Sequence, residues 1–384
     1  MRQGIYSLPG AARWPNFQTS QSPISGGAIS KGGIPSGTPV DEACIAPPGR
    51  PTNHGRPRCV RPSPMIVVFL NPRSRANRRD PGLSRRLART LGDAGRVLAS
   101  PTFEALAEDA RSLAAAPPRV IAVHGGDGTL HHVLTALLDA FAGGPPLPPI
   151  AILGGGTMNV VSASLGIRAR TFPFLADLAR QARAGTPFPT VARRCMKVGN
   201  QFGFVLGNGI LANFLGEYYA RPGYGPARAF WLLAKIFVSA VASGPLAERV
   251  FRPRRDRVTV DGQVLPFAAL TAVSAGTVRE VGLRFKLNHR ADDDPDRFAV
   301  LAIHGTARTL IPDILSVYMG RGISVARAYS TLATELEIVP ADGECPYTID
   351  GDLYRLHEPL RVAIGPRVEF VDPRGGASLK RQRH

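Results

Sequence analysis

The residues His124, Gly125, Gly126, Asp127, Gly128 and Thr129 stand together between a short apolar run and a longer apolar-periodic one. Glycines at such a junction let the backbone turn tightly and approach a ligand closely. The helix start that follows presents unpaired N–H groups toward negative charge. A carboxylate inside an anion site repels phosphate unless a divalent cation lies between them. Asp127 therefore points to Mg²⁺ bridged to a nucleotide phosphate, and Thr129 can offer a hydroxyl to phosphate or cap the helix. A second turn, Gly154, Gly155, Gly156, Thr157, Met158 and Asn159, leaves room for a flat ring or a phosphate chain, with Asn159 supplying a donor and an acceptor. Asn71 closes the first strong apolar run and can line the same cleft, with Arg73 and Arg75 available to phosphate or to solvent.

A third constellation is Tyr347 to Asp352, with Asp350-Gly351-Asp352 at its end. Alone it reads as a turn between two strands. Together with the glycine turns, Asp352 suits the general base that a phosphotransferase needs when its acceptor is an alcohol. Asp342-Gly343-Glu344 spells a similar but weaker candidate. Neither glycine turn is followed by the Lys of a Walker A loop, and neither fits Gly-x-Gly-x-x-Gly. No Gly-x-Ser-x-Gly elbow is present, and the histidines have no zinc-binding spacing. His131 and His132 can approach the first turn, but read best as one packed and one solvated.

The elements that must hold these residues alternate. Residues 65–70, 96–99, 119–123 and 150–153 read as strands, and 77–91, 103–114, 129–141, 158–165 and 174–184 as helices. Such alternation implies a parallel sheet covered on both faces, with ligands at the carboxyl ends of the strands. All three polar turns sit at that end. Beyond 186 the runs 191–198, 202–206, 257–260, 265–275, 281–287, 298–303, 323–328, 335–339 and 362–364 imply a mostly antiparallel arrangement. One helical insertion, 209–242, interrupts it. Its segment around Phe230, Trp231 and Phe237, with Arg228 and Lys235, either packs against the sheet, walls a greasy pocket or faces a membrane.

The expected organisation is thus a leader over 1–62, an α/β nucleotide-binding domain over 63–186, a β-rich substrate domain over 187–372 and a basic tail over 373–384. Residues 1–60 hold nine Pro, nine Gly and three aromatics, too little apolar material to offset ordering entropy, so the leader is expected to be disordered. Met65 offers an alternative start. No run of 18 apolar residues suggests a membrane span, and the chain's opening lacks a secretory pattern. Four dispersed cysteines suit a reducing cytoplasm. The formal net charge of +18 leaves three readings: nucleic acid, an anionic membrane surface, or an Arg-rich composition without a partner. No nucleic-acid recognition module is found, so no specific nucleic-acid partner is expected.

Asn71-Pro72, Gly125 to Thr129, and Gly155-Gly156-Thr157-Met158-Asn159 together resemble the diacylglycerol kinase catalytic family, lipid kinases that also include sphingosine and ceramide kinases. The resemblance spans about residues 65–371. It implies ATP and Mg²⁺ in a cleft between an α/β domain and a β-sandwich-like domain. It also implies γ-phosphoryl transfer to a lipid hydroxyl such as that of diacylglycerol. A cytoplasmic enzyme peripheral to the inner face of an anionic membrane follows, with a homodimer conceivable. The family's Asp-Gly-Glu, whose Glu is taken as the base, maps onto Asp350-Gly351-Asp352 with Asp352 in place of Glu. Asp127 and Asp352 are the expected catalytic pair. NAD kinases and phosphofructokinases resemble the Gly-Gly-Asp-Gly turn too, so a kinase of NAD or another soluble alcohol is an alternative, as is a non-catalytic nucleotide-binding membrane adaptor. Asn71-Pro72 and Asn159 favour the lipid kinases.

Overall fold

A computed structural model describes residues 65–374, apart from 73, 75, 76, 78, 79, 157, 158, 168, 221–224, 284, 319–322 and 325. The expected leader and most of the basic tail lie outside these residues, as do Arg73, Arg75 and Thr157.

The first half runs β1 (Ile66–Leu70), α1 (Leu83–Leu91), β2 (Gly95–Leu98), α2 (Phe103–Ala115), β3 (Val120–His124), α3 (Asp127–Ala140), β4 (Ile150–Ile152), α4 (Val160–Ser164) and α5 (Thr171–Arg183). Strands β2, β1, β3 and β4 pair in that order and in parallel. Every residue of β1 and β3 is buried, as befits strands covered on both faces. Val67, Phe69 and Ile121 pack with Leu106, Leu134 and Leu137 of α2 and α3 on one face. Ile66, Val68 and Ala122 pack with Leu87, Leu91, Leu175 and Leu178 of α1 and α5 on the other. The period-two alternation of the strands thus feeds two helical layers. Thr102 caps α2 by accepting the Ala105 N–H at 3.2 Å.

The second half runs β5 (Thr190–Val198), β6 (Gln201–Gly203), β7 (Val205–Gly209), α6 (Ile210–Tyr219), α7 (Pro226–Val241), α8 (Pro245–Val250), β8 (Arg257–Val260), β9 (Gln263–Val264), β10 (Ala272–Gly276), β11 (Phe298–Ile303), α9 (Ala307–Leu310), α10 (Asp313–Tyr318), β12 (Ala328–Ala333), β13 (Glu335–Val339), β14 (Cys345–Ile349), β15 (Asp352–Leu356) and β16 (Leu360–Val371). Strands β12, β11, β10, β7, β14 and β15 make an antiparallel sheet of six. The last strand, β16, pairs antiparallel with β5 and β13, and its Phe370 pairs in parallel with Ile150 of β4. The parallel sheet therefore continues into antiparallel strands, giving one mixed sheet of ten. Met196, Ile338 and Val362 from that sheet share a core with Leu206, Val273, Phe298 and Ile349 from the sheet of six. The architecture is α/β, with one mixed and one antiparallel sheet.

Several element boundaries differ from the sequence reading. Of the helix expected over 77–91, Leu83–Leu91 is seen, after a turn in which the Leu83 N–H bonds the Asp80 carbonyl at 3.1 Å; Asn77 is also helical, and 78 and 79 lie outside the described residues. The described residues of 281–287 form no strand, because Gly282 and Leu283 both take positive φ and the Val281 N–H closes a turn onto Phe285. Of 265–275 only the end is strand β10, and strand β12 starts where the run 323–328 ends. Among its described residues the helical insertion expected over 209–242 holds two helices, α6 and α7, and α8 follows it. Among the described residues no helix is long and apolar enough to cross a membrane.

Candidate active site

Because β1, β3 and β4 are parallel neighbours, the turns that follow them open on one edge of the sheet. Asn71 follows β1, and its carbonyl accepts from the Ser74 N–H at 3.1 Å and from the Asn77 amide. Gly125 and Gly126 follow β3, and Thr129 is buried with its side chain seated on Gly125. Gly154 to Gly156 follow β4. The two glycine turns touch backbone to backbone: a Cβ on Gly126 would lie 3.0 Å from the Gly156 Cα, and one on Gly156 would drive into the Gly126 Cα. Only glycine on both sides permits that approach.

The side chains at this junction are engaged with one another. Asp127 turns its carboxylate across to the second turn, accepting the N–H groups of Val160 at 3.0 Å and Val161 at 3.1 Å. It thereby satisfies two orphan donors at the start of α4. Burial raises its pKa, the amide bonds oppose that rise, and the charge of Asp352 adds to it. Asn159 sits in the left-handed region and locks its own turn, accepting the Gly156 N–H at 3.1 Å and donating to the Gly156 carbonyl at 3.2 Å. His124 is buried beside Gly155, and its Nδ1 has no hydrogen-bond partner among the described residues.

The β14–β15 hairpin lowers its turn onto the first glycine turn. Asp352 is 4 % exposed, and a Cβ on Gly128 would fall 2.7 Å from its Oδ2. That same Oδ2 lies 3.0 Å from His132 Nε2. Gly128 and His132 are one helical turn apart on α3, so both meet Asp352 on one face. His132 is therefore not solvated: it is held against Asp352 and beside the Phe103 ring. His131 is the packed one. Its Nδ1 lies 2.7 Å from the Phe202 carbonyl, which can only accept, so Nδ1 carries the proton and Nε2 accepts from the Tyr354 hydroxyl at 2.9 Å. Burial lowers its pKa from 6.5 to about 4, which keeps it neutral.

Asp350, in the left-handed region, accepts the Phe204 N–H at 3.1 Å and the Val205 N–H at 2.9 Å, pinning the hairpin turn to β7. Burial, with the charges of Asp127 and Asp352, raises its pKa well above the usual carboxylate value. Asp127, Asp350 and Asp352 thus form one electrostatically coupled cluster. Asp342 is exposed and Glu344 pairs with Arg355 at 2.9 Å, so that alternative motif is engaged elsewhere.

The expected residues Asp127, Gly125, Gly126, Gly128, Thr129, Gly155, Gly156, Asn159 and Asp352 fall into this neighbourhood, with Asn71 at the adjacent strand end. Sequence reasoning missed the His132–Asp352 contact, the His131–Tyr354 bond and the anchoring by Asp350. The placement of His132 four residues after Gly128 was the available signal, since that spacing shares a helical face.

Three comparisons bear on ancestry. Residues 65–186 match the family model described as the diacylglycerol kinase catalytic domain. None of the curated protein sequences compared matches the chain. Three solved structures from Bacillus anthracis str. Sterne share the fold, one named as a diacylglycerol kinase and two named provisionally as such. One is 16 % identical with a TM-score of 0.61, covering 81 % of this chain and 98 % of its own. Another is 18 % identical with a TM-score of 0.56, covering 80 % and 97 %. The third is 16 % identical with a TM-score of 0.53. Over residues 65–186 of its 384 the chain is thus similar to the diacylglycerol kinase catalytic domain, and its fold is shared with the three solved structures.

Proposed function

We propose that this chain is an ATP- and Mg²⁺-dependent lipid kinase that phosphorylates a lipid hydroxyl such as that of diacylglycerol. The observation that carries the reading is the seating of Asp352 directly over Gly128, at the start of a 14-residue helix beside two touching glycine turns. A base and an anion-binding helix start are within reach of one reacting phosphoryl group.

The amides at the start of α3 and the bare backbone of Gly125, Gly126, Gly155 and Gly156 cradle the phosphates. The buried His124 Nδ1, without a partner among the described residues, is a further polar atom suited to a ligand. Among the described residues no group of three or more His, Cys, Asp or Glu is arranged to cage a metal. Mg²⁺ arriving with ATP would keep phosphate and water ligands and need only one or two carboxylates, and Asp127 would be the one to hold it. The ion supplies neutralisation of phosphate charge. Asp127 also acts structurally, since its two amide bonds hold the second turn in register with the first. Asp352 takes the acceptor's proton while the acceptor oxygen bonds to the γ-phosphorus. The bond to the bridging β–γ oxygen breaks, and ADP leaves with the electron pair. His132 orients the Asp352 carboxylate.

Labelled ATP offered side by side with diacylglycerol, NAD and simple sugars tests the acceptor. Label is expected in the lipid; label in NAD or a sugar alone, or in none of them, refutes the lipid-kinase reading.

A further inference from the structure

Five of the six large apolar side chains exposed among the described residues lie on one helix, α7: Phe230, Trp231, Phe237, Val238 and Val241. Their positions repeat at helical spacing and make one outward stripe. The opposite face is already used. Ala229, Ile236 and Ala240 are buried, α7 packs against α8 and α9, and Ser239 Oγ accepts the Ala247 N–H at 3.0 Å. The stripe is therefore surplus to the core.

Charge says what covers it. From Tyr218 to Ala247 there is no Asp or Glu, whereas Arg228 and Lys235 lie on α7 itself. The Lys235 ammonium stands 6.0 Å over the Trp231 ring. Exposed Arg252 and Arg255 follow α8, and exposed Arg308 lies on α9. An isologous contact with a second copy would set Lys235 against like charge in a chain of net +18. An anionic lipid surface complements both features at once. At 16 residues, α7 is about 24 Å long, short of the roughly 30 Å hydrocarbon core, so it lies in the interface and does not span it.

We propose that α7 is the element by which this protein docks on anionic membranes, with Phe230, Trp231 and Phe237 inserted at headgroup depth and Lys235 among the phosphates. The element is fastened to the candidate site. Arg228 donates to the Tyr218 carbonyl at 2.8 Å, and the adjoining Tyr219 hydroxyl donates to the Gly351 carbonyl at 2.8 Å, in the turn that bears Asp352. The inference rests on the lipid-kinase reading for its purpose, but its test needs no turnover.

The experiment uses the full chain with Trp14→Phe, which leaves Trp231 as the one tryptophan. Vesicles of phosphatidylglycerol with phosphatidylcholine, or of phosphatidylcholine alone, are added without nucleotide. Trp231 emission is expected to move to the blue with the anionic vesicles. Phe230→Ser/Trp231→Ser/Phe237→Ser is expected to bind them at least tenfold more weakly in sedimentation, and Lys235→Glu to weaken binding and flatten its salt dependence. All these positions are exposed, and circular dichroism checks that the variants fold; if the triple variant does not, the Trp231 emission decides alone. Unchanged emission on vesicles that nevertheless sediment the protein overturns the proposal. So does a triple variant that loses only self-association while binding vesicles as before. Turnover of a dispersed short-chain acceptor separates the two claims. Docking without any kinase activity sinks the catalytic reading alone, and kinase activity without α7-dependent docking sinks this one alone.

Discussion

Gly128→Ala sets local structure against chemistry. Gly128 lies in the first turn of α3, and its φ is not in the left-handed region, so alanine suits the backbone. Helix propensity alone favours Ala over Gly by up to about 1 kcal/mol. The added Cβ, however, would stand 2.7 Å from Asp352 Oδ2 and 3.2 Å from its Cγ. To regain ordinary van der Waals separation the carboxylate must retreat by about 0.8 Å. Asp352 is short, buried and held at 3.0 Å by His132, so little of that movement can be absorbed without loosening the pair. Displacement of a catalytic group by about 1 Å costs on the order of a hundredfold in rate, or about 2.7 kcal/mol of barrier. The assay pairs calorimetric melting with transfer of labelled phosphoryl from ATP to dispersed diacylglycerol. The expected variant melts within a few degrees of the parent and loses on the order of a hundredfold in kcat. A stable variant with parental kcat would refute the placement of Asp352 at the reacting centre.

Three further outcomes follow from the same geometry. Gly156→Ala drives a methyl into the Gly126 backbone and should cost roughly 1–3 kcal/mol of stability, together with nucleotide affinity measured by calorimetry. Asp127→Asn can serve only one of the two α4 amides as an acceptor, and should lower stability by roughly 1–3 kcal/mol and turnover by more than about tenfold; parental melting and kinetics would remove its linking role. His131 binds its proton more weakly folded, at about 4, than unfolded, at 6.5, so its contribution is complete above 6.5 and fades as pH falls toward 4. Between those limits the wild type should lose up to roughly 3 kcal/mol relative to His131→Asn, and parallel stability curves would contradict the buried neutral assignment.

The parallel half of the fold was legible because its signals are local. β1 and β3 are short apolar runs that pass directly into glycine turns, and their helices carry apolar periodicity. The antiparallel half was less so. Residues 281–287 carry the apolar spelling of a strand, but positive φ at Gly282 and Leu283 bends them into a turn that composition does not announce. The parallel pairing of Phe370 with Ile150 joins positions far apart in the chain, and no pattern within β16 marks that destination. At the site, residue types singled out most of the groups that the fold gathers at one sheet edge, whereas their partners depended on tertiary placement. Asp127 was read as facing phosphate, and its oxygens are found on the Val160 and Val161 amides. The contact of Asp352 with His132 links a hairpin to a distant helix, which only the folded chain brings together.

The most direct measurement compares Asp352→Asn with the parent in two assays on the same preparation: Mg-ATP binding by calorimetry and γ-phosphoryl transfer to diacylglycerol. Asparagine keeps the shape over Gly128 and removes the proton acceptor. The account predicts nucleotide affinity within about threefold and transfer reduced by at least a hundredfold, the scale of general-base catalysis. Transfer at the parental rate by Asp352→Asn would contradict it.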